Sequence, residues 1–109
     1  MIKVSVMYAG SPNDRFDHVY YEHVHMRLVQ SRLGSGIRYY TVDRGIGGGP
    51  PGSDAPYVAM CHLFCESVEA FQAALAPHGD ELNQDIINFT DLSALYQISE
   101  VVVSAPYIS

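Results

Sequence analysis

His18, Tyr21, Glu22 and His25 follow one another at spacings i, i+3, i+4 and i+7. On a helix, which turns by about 100° per residue, that spacing puts all four on one face. An imidazole near its ordinary pKa of about 6.5 trades protons at neutral pH, and a carboxylate one turn away can orient it. The stripe therefore suits general acid or base chemistry, with His25 as the proton-transfer group, Glu22 as its orienting partner and His18 beside them. The same residues equally describe a solvated helix face on which Glu22 pairs with His18 or His25. Glu22-x-x-His25 is half of a di-iron carboxylate motif, but the sequence holds no second Glu-x-x-His, so no metal site is expected.

Further polar residues are candidates for contacting a substrate. Tyr21 shares the helix face with His25. His62 lies in an apolar run with Val58, Met60 and Phe64, where it is either a core histidine with a hydrogen-bond partner or a group lining a pocket. His78, between Pro77 and Gly79, either holds a turn or reaches a pocket beneath the second helix. Gln97 can orient a substrate oxygen or satisfy a neighbouring backbone group. His23 points away from His18 and reads as a surface histidine. Tyr39, Tyr40, Tyr57 and Tyr96 fill a core or an interface, and any that line a cleft give an apolar wall with a polar tip, suited to a small aromatic or aliphatic molecule.

These residues need a scaffold, and 109 of them suffice for one domain, residues 1–109, but not for two cores. Ile2, Val4, Val6 and Tyr8 alternate with more polar residues as in a strand. Phe16, Tyr20, Val24 and Leu28 recur every four residues, which predicts a helix over Asp14 to Leu33 that packs this row on a sheet and stops at Gly34. Strands follow at Ile37 to Arg44 and Tyr57 to Cys65. Ser67 caps a second helix from Val68 to Ala76, Pro77 to Ile86 forms a kink or short helix, and Ser93 to Val103 supplies the last strand. The order β-α-β-β-α-β is that of the ferredoxin-like α+β fold, with an antiparallel four-stranded sheet. Gly45 to Pro56 can hold neither helix nor central strand and lacks the Gly-Lys-Ser/Thr of a phosphate loop. It is expected to be a flap over a pocket mouth or a loop reaching a partner chain.

Composition narrows the partners. A formal net charge of −6, with six basic residues in no run, argues against nucleic acid and anionic membranes. No stretch approaches the roughly 18 apolar residues of a membrane span, and the N-terminus reads as a strand, so a cytoplasmic protein is expected. Cys61 and Cys65, four residues apart on one strand, are too distant to pair and read as reduced core thiols. The third strand is apolar on both faces, so the face without helices also needs covering. A second copy of the chain is the simplest cover, which predicts a homodimer closed through the sheets into a dimeric α/β barrel.

The run Phe16-Asp17-His18-Val19-Tyr20-Tyr21 followed by His25-Met26 resembles the opening helix motif of the EthD family, named for ethyl tert-butyl ether degradation and belonging to the dimeric α/β-barrel superfamily. Ala55 to Ala59, Glu66 to Phe71, Pro77-His78-Gly79, Asp85-Ile86, Thr90-Asp91 and Gln97 to Val101 extend the resemblance, in order, to about Val103. Arg27, Ile87 and Ala94 stand where the family pattern has proline. The resemblance implies a protein that acts on a small apolar or aromatic compound in a catabolic pathway, possible chemistries being cofactor-independent decarboxylation, dehydration or oxygenation. A non-catalytic carrier of an apolar intermediate is the alternative. No cofactor is expected, although related barrel families ligate haem through a helix histidine.

Overall fold

β1 (Ile2–Ala9) lies at the centre of the sheet, flanked on both sides by antiparallel partners. The computed structural model describes residues 1–106. β3 (Tyr57–Cys65) pairs with β1 in the register Val4↔Leu63 and Val6↔Cys61, and β4 (Ala94–Glu100) pairs on the other side with Val6↔Tyr96. β2 (Tyr39–Arg44) pairs with the outer edge of β3, giving the order β2-β3-β1-β4. The expected α+β, ferredoxin-like arrangement is the observed one, with the helices on one face of the sheet. No helix among the described residues is long and apolar enough to cross a membrane.

Element ends differ from expectation for traceable reasons. The first helix starts as α1 (His18–Tyr20), not at Asp14, because the backbone before it is used elsewhere. Phe16 bridges Thr90, the Asp17 N–H donates to the Phe89 carbonyl, and the Asp17 side chain caps the Tyr20 N–H. β2 begins at Tyr39 and not Ile37, whose N–H closes a turn on the Gly34 carbonyl. β4 stops at Glu100, where its partner strand runs out at Ile2.

The helix phase also departs from expectation. After α1 comes a π-helical turn over Tyr21–His25, in which the Met26 N–H reaches back to the Tyr21 carbonyl, and then α2 (Met26–Leu33). The buried row is Tyr21, His25, Val29 and Leu33, joined by Met26, whereas Val24 is 47% exposed. Of the row Phe16, Tyr20, Val24, Leu28, Phe16 packs on Tyr8 of β1 from ahead of the helix and Tyr20 and Leu28 are half-buried beside the core, while Val24 faces outward. Both rows repeat every four residues, and the true one was hidden because it includes a histidine. α2 ends where predicted, at Gly34, whose φ of 53° suits a residue without Cβ.

α3 (Val68–Leu75) is capped by Ser67, whose hydroxyl accepts from the Ala70 N–H. α4 (Gly79–Asp85) and a 3₁₀ turn (Ile86–Asn88) then return the chain towards β4. Phe89 anchors the aromatic centre of the core with Tyr8, Phe16 and Tyr21. Cys61 and Cys65 are free and buried.

Candidate active site

His25 ends the π turn and is buried, with its Nδ1 2.9 Å from Asp85 Oδ2. A carboxylate only accepts, so Nδ1 carries the proton and Nε2 keeps its lone pair. Asp85, the last residue of α4, is fixed by two more donors: Tyr20 Oη lies 2.6 Å and Asn88 Nδ2 2.9 Å from its Oδ1. Burial pushes the His25 pKa below its ordinary value, and the Asp85 hydrogen bond and charge only partly oppose this. Burial by itself would raise the Asp85 pKa, but the hydrogen bonds from Tyr20, His25 and Asn88 together hold it below the usual carboxylate range. The pair is thus a neutral imidazole on an ionised aspartate at neutral pH, the state of a general base.

A cavity of about 310 Å³ opens beside this pair, between helices and sheet. Val4, Val6, Cys61 and Leu63 form its floor, and Tyr21, His25, Met26, Leu82 and Ile86 its roof. Tyr96, 61% exposed, and Ile98 border it from β4. No Lys, Arg, Asp or Glu lines it, so the cavity suits an uncharged, largely apolar molecule.

The structure separates residues that the spacing had grouped. Of His18, Glu22 and His25, only His25 reaches this cavity. Glu22 does not orient His25: its carboxylate takes the Arg44 guanidinium, with Nη2 2.9 Å from Oε1, because the π turn carries His25 inward while Glu22 stays at the rim facing β2. Asp85 holds the orienting position instead. His18 packs on Phe16 and lines a second, more polar hollow with Asp14 and Asp54. The glycine-rich loop forms the other wall of that hollow through Gly45, Ile46 and Ala55, so it is no flap over the His25 cavity.

Among the expected substrate contacts, Tyr21 lines the cavity and the other three do not. His62 lies on the opposite face of the sheet, where strand alternation puts it beside Ser5, with Nδ1 2.8 Å from the Ser5 hydroxyl and Nε2 3.2 Å from Asp43 Oδ2. Gln97 shares that face and donates to the Ser99 hydroxyl, while its neighbours Tyr96 and Ile98 line the cavity. His78 sits in the turn before α4, where its carbonyl accepts from the Leu82 N–H. His23 is exposed. No group of three or more His, Cys, Asp or Glu residues is placed to hold a metal ion among the described residues. Tyr20, Asp85 and Asn88 were not foreseen as parts of the site. The one signal for Asp85 was its place in the Asp85-Ile86 pair of the family resemblance.

A family model described as the EthD domain matches residues 13–93. The chain belongs to the EthD family. An EthD-like protein from Ralstonia eutropha JMP134 is 49% identical over 95% of this chain and 94% of its own, with a TM-score of 0.91. An EthD-family protein from Bacillus halodurans C-125 is 24% identical over 92% of this chain and 97% of its own, with a TM-score of 0.69. An Arabidopsis thaliana protein shares the fold, with a TM-score of 0.67 at 14% identity, covering 97% of this chain and 100% of that one. No curated protein matches the sequence significantly. Both His25 and Asp85 fall inside the matched EthD segment, whereas β1 and β4 both lie outside it. Part of the cavity floor and its β4 border therefore come from strands beyond that segment.

Proposed function

We propose that this EthD protein is a cofactor-independent enzyme that binds a small uncharged organic compound in the cavity between helices and sheet, with His25 moving a proton on it. The observation that carries this reading is the His25–Asp85 pair, oriented by Tyr20 and Asn88, at the edge of an apolar cavity. Within the lyase or oxygenase chemistry that the family suggests, the walls favour some steps over others. A decarboxylase would have to take up a carboxylate with no cation lining the cavity, at a desolvation cost that an uncharged substrate avoids. Dehydration, or proton abstraction that prepares a carbon for reaction, asks for no such partner. The biological setting suggested by the family is breakdown of a small ether or aromatic compound.

Ligand-dependent stabilisation tests the cavity directly. A compound present at about 100 times its Kd adds about 2.7 kcal/mol, which in a domain of this size raises Tm on the order of 10 °C. A library of neutral aromatics and ethers should contain such ligands, and their carboxylate analogues should give no shift. Uniformly flat melting curves would contradict the reading. Stabilisation without turnover of any ligand would favour the carrier reading, for which the apolar lining serves equally well.

We further infer that the protein is a homodimer through the open face of its sheet. Tyr39 stacks on Phe64 there, ring centroids 4.3 Å apart, and Met60 and Leu95 share the face with no helix above them. A second copy covers this apolar surface with its own. Light scattering should give twice the chain mass, and Phe64→Glu should halve it. A wild-type protein at the single-chain mass would refute the pairing.

A further inference from the structure

Tyr96 reverses the usual arrangement of a surface tyrosine, which lays its ring on apolar neighbours and gives its hydroxyl to water. The residue is 61% exposed, yet burial raises the pKa of its phenol, and the nearby Cys61 thiol adds to the rise. The ring therefore carries the exposure, and the hydroxyl is the end withdrawn from water. The sheet register accounts for this direction. Tyr96 on β4, Val6 on β1 and Cys61 on β3 form one row across the helix-covered face, all three lining the cavity. Tyr96 and Cys61 are two strands apart, about 10 Å, so the Tyr96 side chain leans over Val6 towards Cys61 and above the cavity floor. The Tyr8 phenol, two residues along β1 on the same face, is affected by Tyr96 as well. No side chain among the described residues hydrogen-bonds the Tyr96 hydroxyl. The Tyr21 hydroxyl, by contrast, is sealed from the cavity against the Cys61 thiol.

Resting on the reading of this cavity as the substrate site, we propose that the Tyr96 hydroxyl binds the substrate by donating a hydrogen bond to an oxygen, and that the substrate is an uncharged compound with one accepting oxygen on an otherwise apolar body. A tyrosine whose pKa lies above the ordinary value of about 10 keeps its proton throughout neutral pH, so it is available as a donor. An oxygen carried into this apolar lining without a donor would lose its water uncompensated, and Tyr96 supplies the compensation without bringing a charge. The next row of the same face, Ile98, Val4 and Leu63, is wholly aliphatic and takes the apolar body. The site thus favours an oxygen-bearing molecule over a plain hydrocarbon of the same shape.

Acetophenone and α-methylstyrene test this, because they share one shape and differ only in an oxygen that the second replaces by CH₂. Bound to the wild-type protein, acetophenone should show a carbonyl stretch at lower frequency than in hexane. Tyr96→Phe keeps the ring and so the cavity border. It should weaken acetophenone about tenfold, about 1.4 kcal/mol, leave α-methylstyrene within about twofold of wild type, and return the carbonyl stretch to its hexane position. Ile98→Ala, which opens the same border without touching the hydroxyl, should weaken both compounds alike and leave the stretch shifted. Equal weakening of the two compounds by Tyr96→Phe, or a stretch that stays shifted in that variant, overturns the role of Tyr96 while α-methylstyrene binding still upholds the cavity. Asn83 is the other exposed polar residue of the lining. A shift that vanishes in Asn83→Leu but persists in Tyr96→Phe moves the contact to α4 and likewise overturns the proposal. Failure of both compounds to bind the wild type overturns the cavity reading and this proposal together.

Discussion

His25→Ala should lower turnover of a substrate of this cavity by about 10²- to 10⁴-fold, the usual contribution of a positioned acid or base, while ligands with no transferable proton still bind. The expectation follows from where the imidazole sits: its Nδ1–H is committed to Asp85, and Nε2 is free at the cavity edge. Wild-type activity should rise with pH through an inflection below the ordinary histidine value of about 6.5, because burial lowers the His25 pKa and only the neutral ring accepts a proton. Asp85→Asn removes the charge that raises the His25 pKa, so the inflection should move lower still and the plateau rate should fall. A change in plateau alone would mean that Asp85 acts through geometry without setting the proton affinity.

The same two groups give stability a pH dependence of predictable sign. His25 has a lower pKa folded than unfolded, so below about pH 6.5 the unfolded chain takes up its proton first and stability falls until the folded histidine also titrates. Asp85 also has a lower folded pKa, so its contribution is complete above about pH 4 and is lost as pH falls through the folded value. Acid should therefore weaken the fold in two stages. In His25→Ala the earlier stage should shrink.

The strand pattern was legible because alternation and burial have the same cause: β3 was bounded at Tyr57 and Cys65 by residues that are apolar on both faces. The Ser67 cap and the Gly34 stop were legible for equally local reasons. The helix phase was not. A period of four fits two adjacent rows, and apolarity favoured Phe16, Tyr20, Val24 and Leu28 over a row containing Tyr21 and His25. Only tertiary contact with the sheet, accommodated by a π turn, decides between them. His25 was legible as a candidate proton-transfer group, but its partner was not, because helical spacing can suggest Glu22 and cannot see Asp85, sixty residues away. His62 and Gln97 fell on the wrong side of the sheet because the parity of a strand is fixed while the side that helices cover is not readable locally.

Phe89→Ala should be the most destabilising substitution in the chain, by about 3–5 kcal/mol, out of a total of about 5–15 kcal/mol for a domain of this kind. Phe89 is 0% exposed, and its ring lies 5.0 Å from that of Tyr21, 4.7 Å from His25, 5.8 Å from Tyr8 and 5.4 Å from Phe16. Removing it opens a void between the elements that carry His25 and Asp85, since Phe89 follows the 3₁₀ turn after α4 and its carbonyl accepts the Asp17 N–H that starts the helix. Urea titration should show a lower midpoint with an unchanged slope. Phe71→Ala removes a ring of the same size that borders the cavity, as Phe89 does not, and that does not pack on His25; it should cost comparable stability. Under conditions where both variants are folded, turnover should fall further in Phe89→Ala, because that variant loses the ring packed against the His25 imidazole as well as core volume. Equal losses in the two would mean that Phe89 serves the core alone and that the Asp85 clamp suffices to hold the imidazole in place.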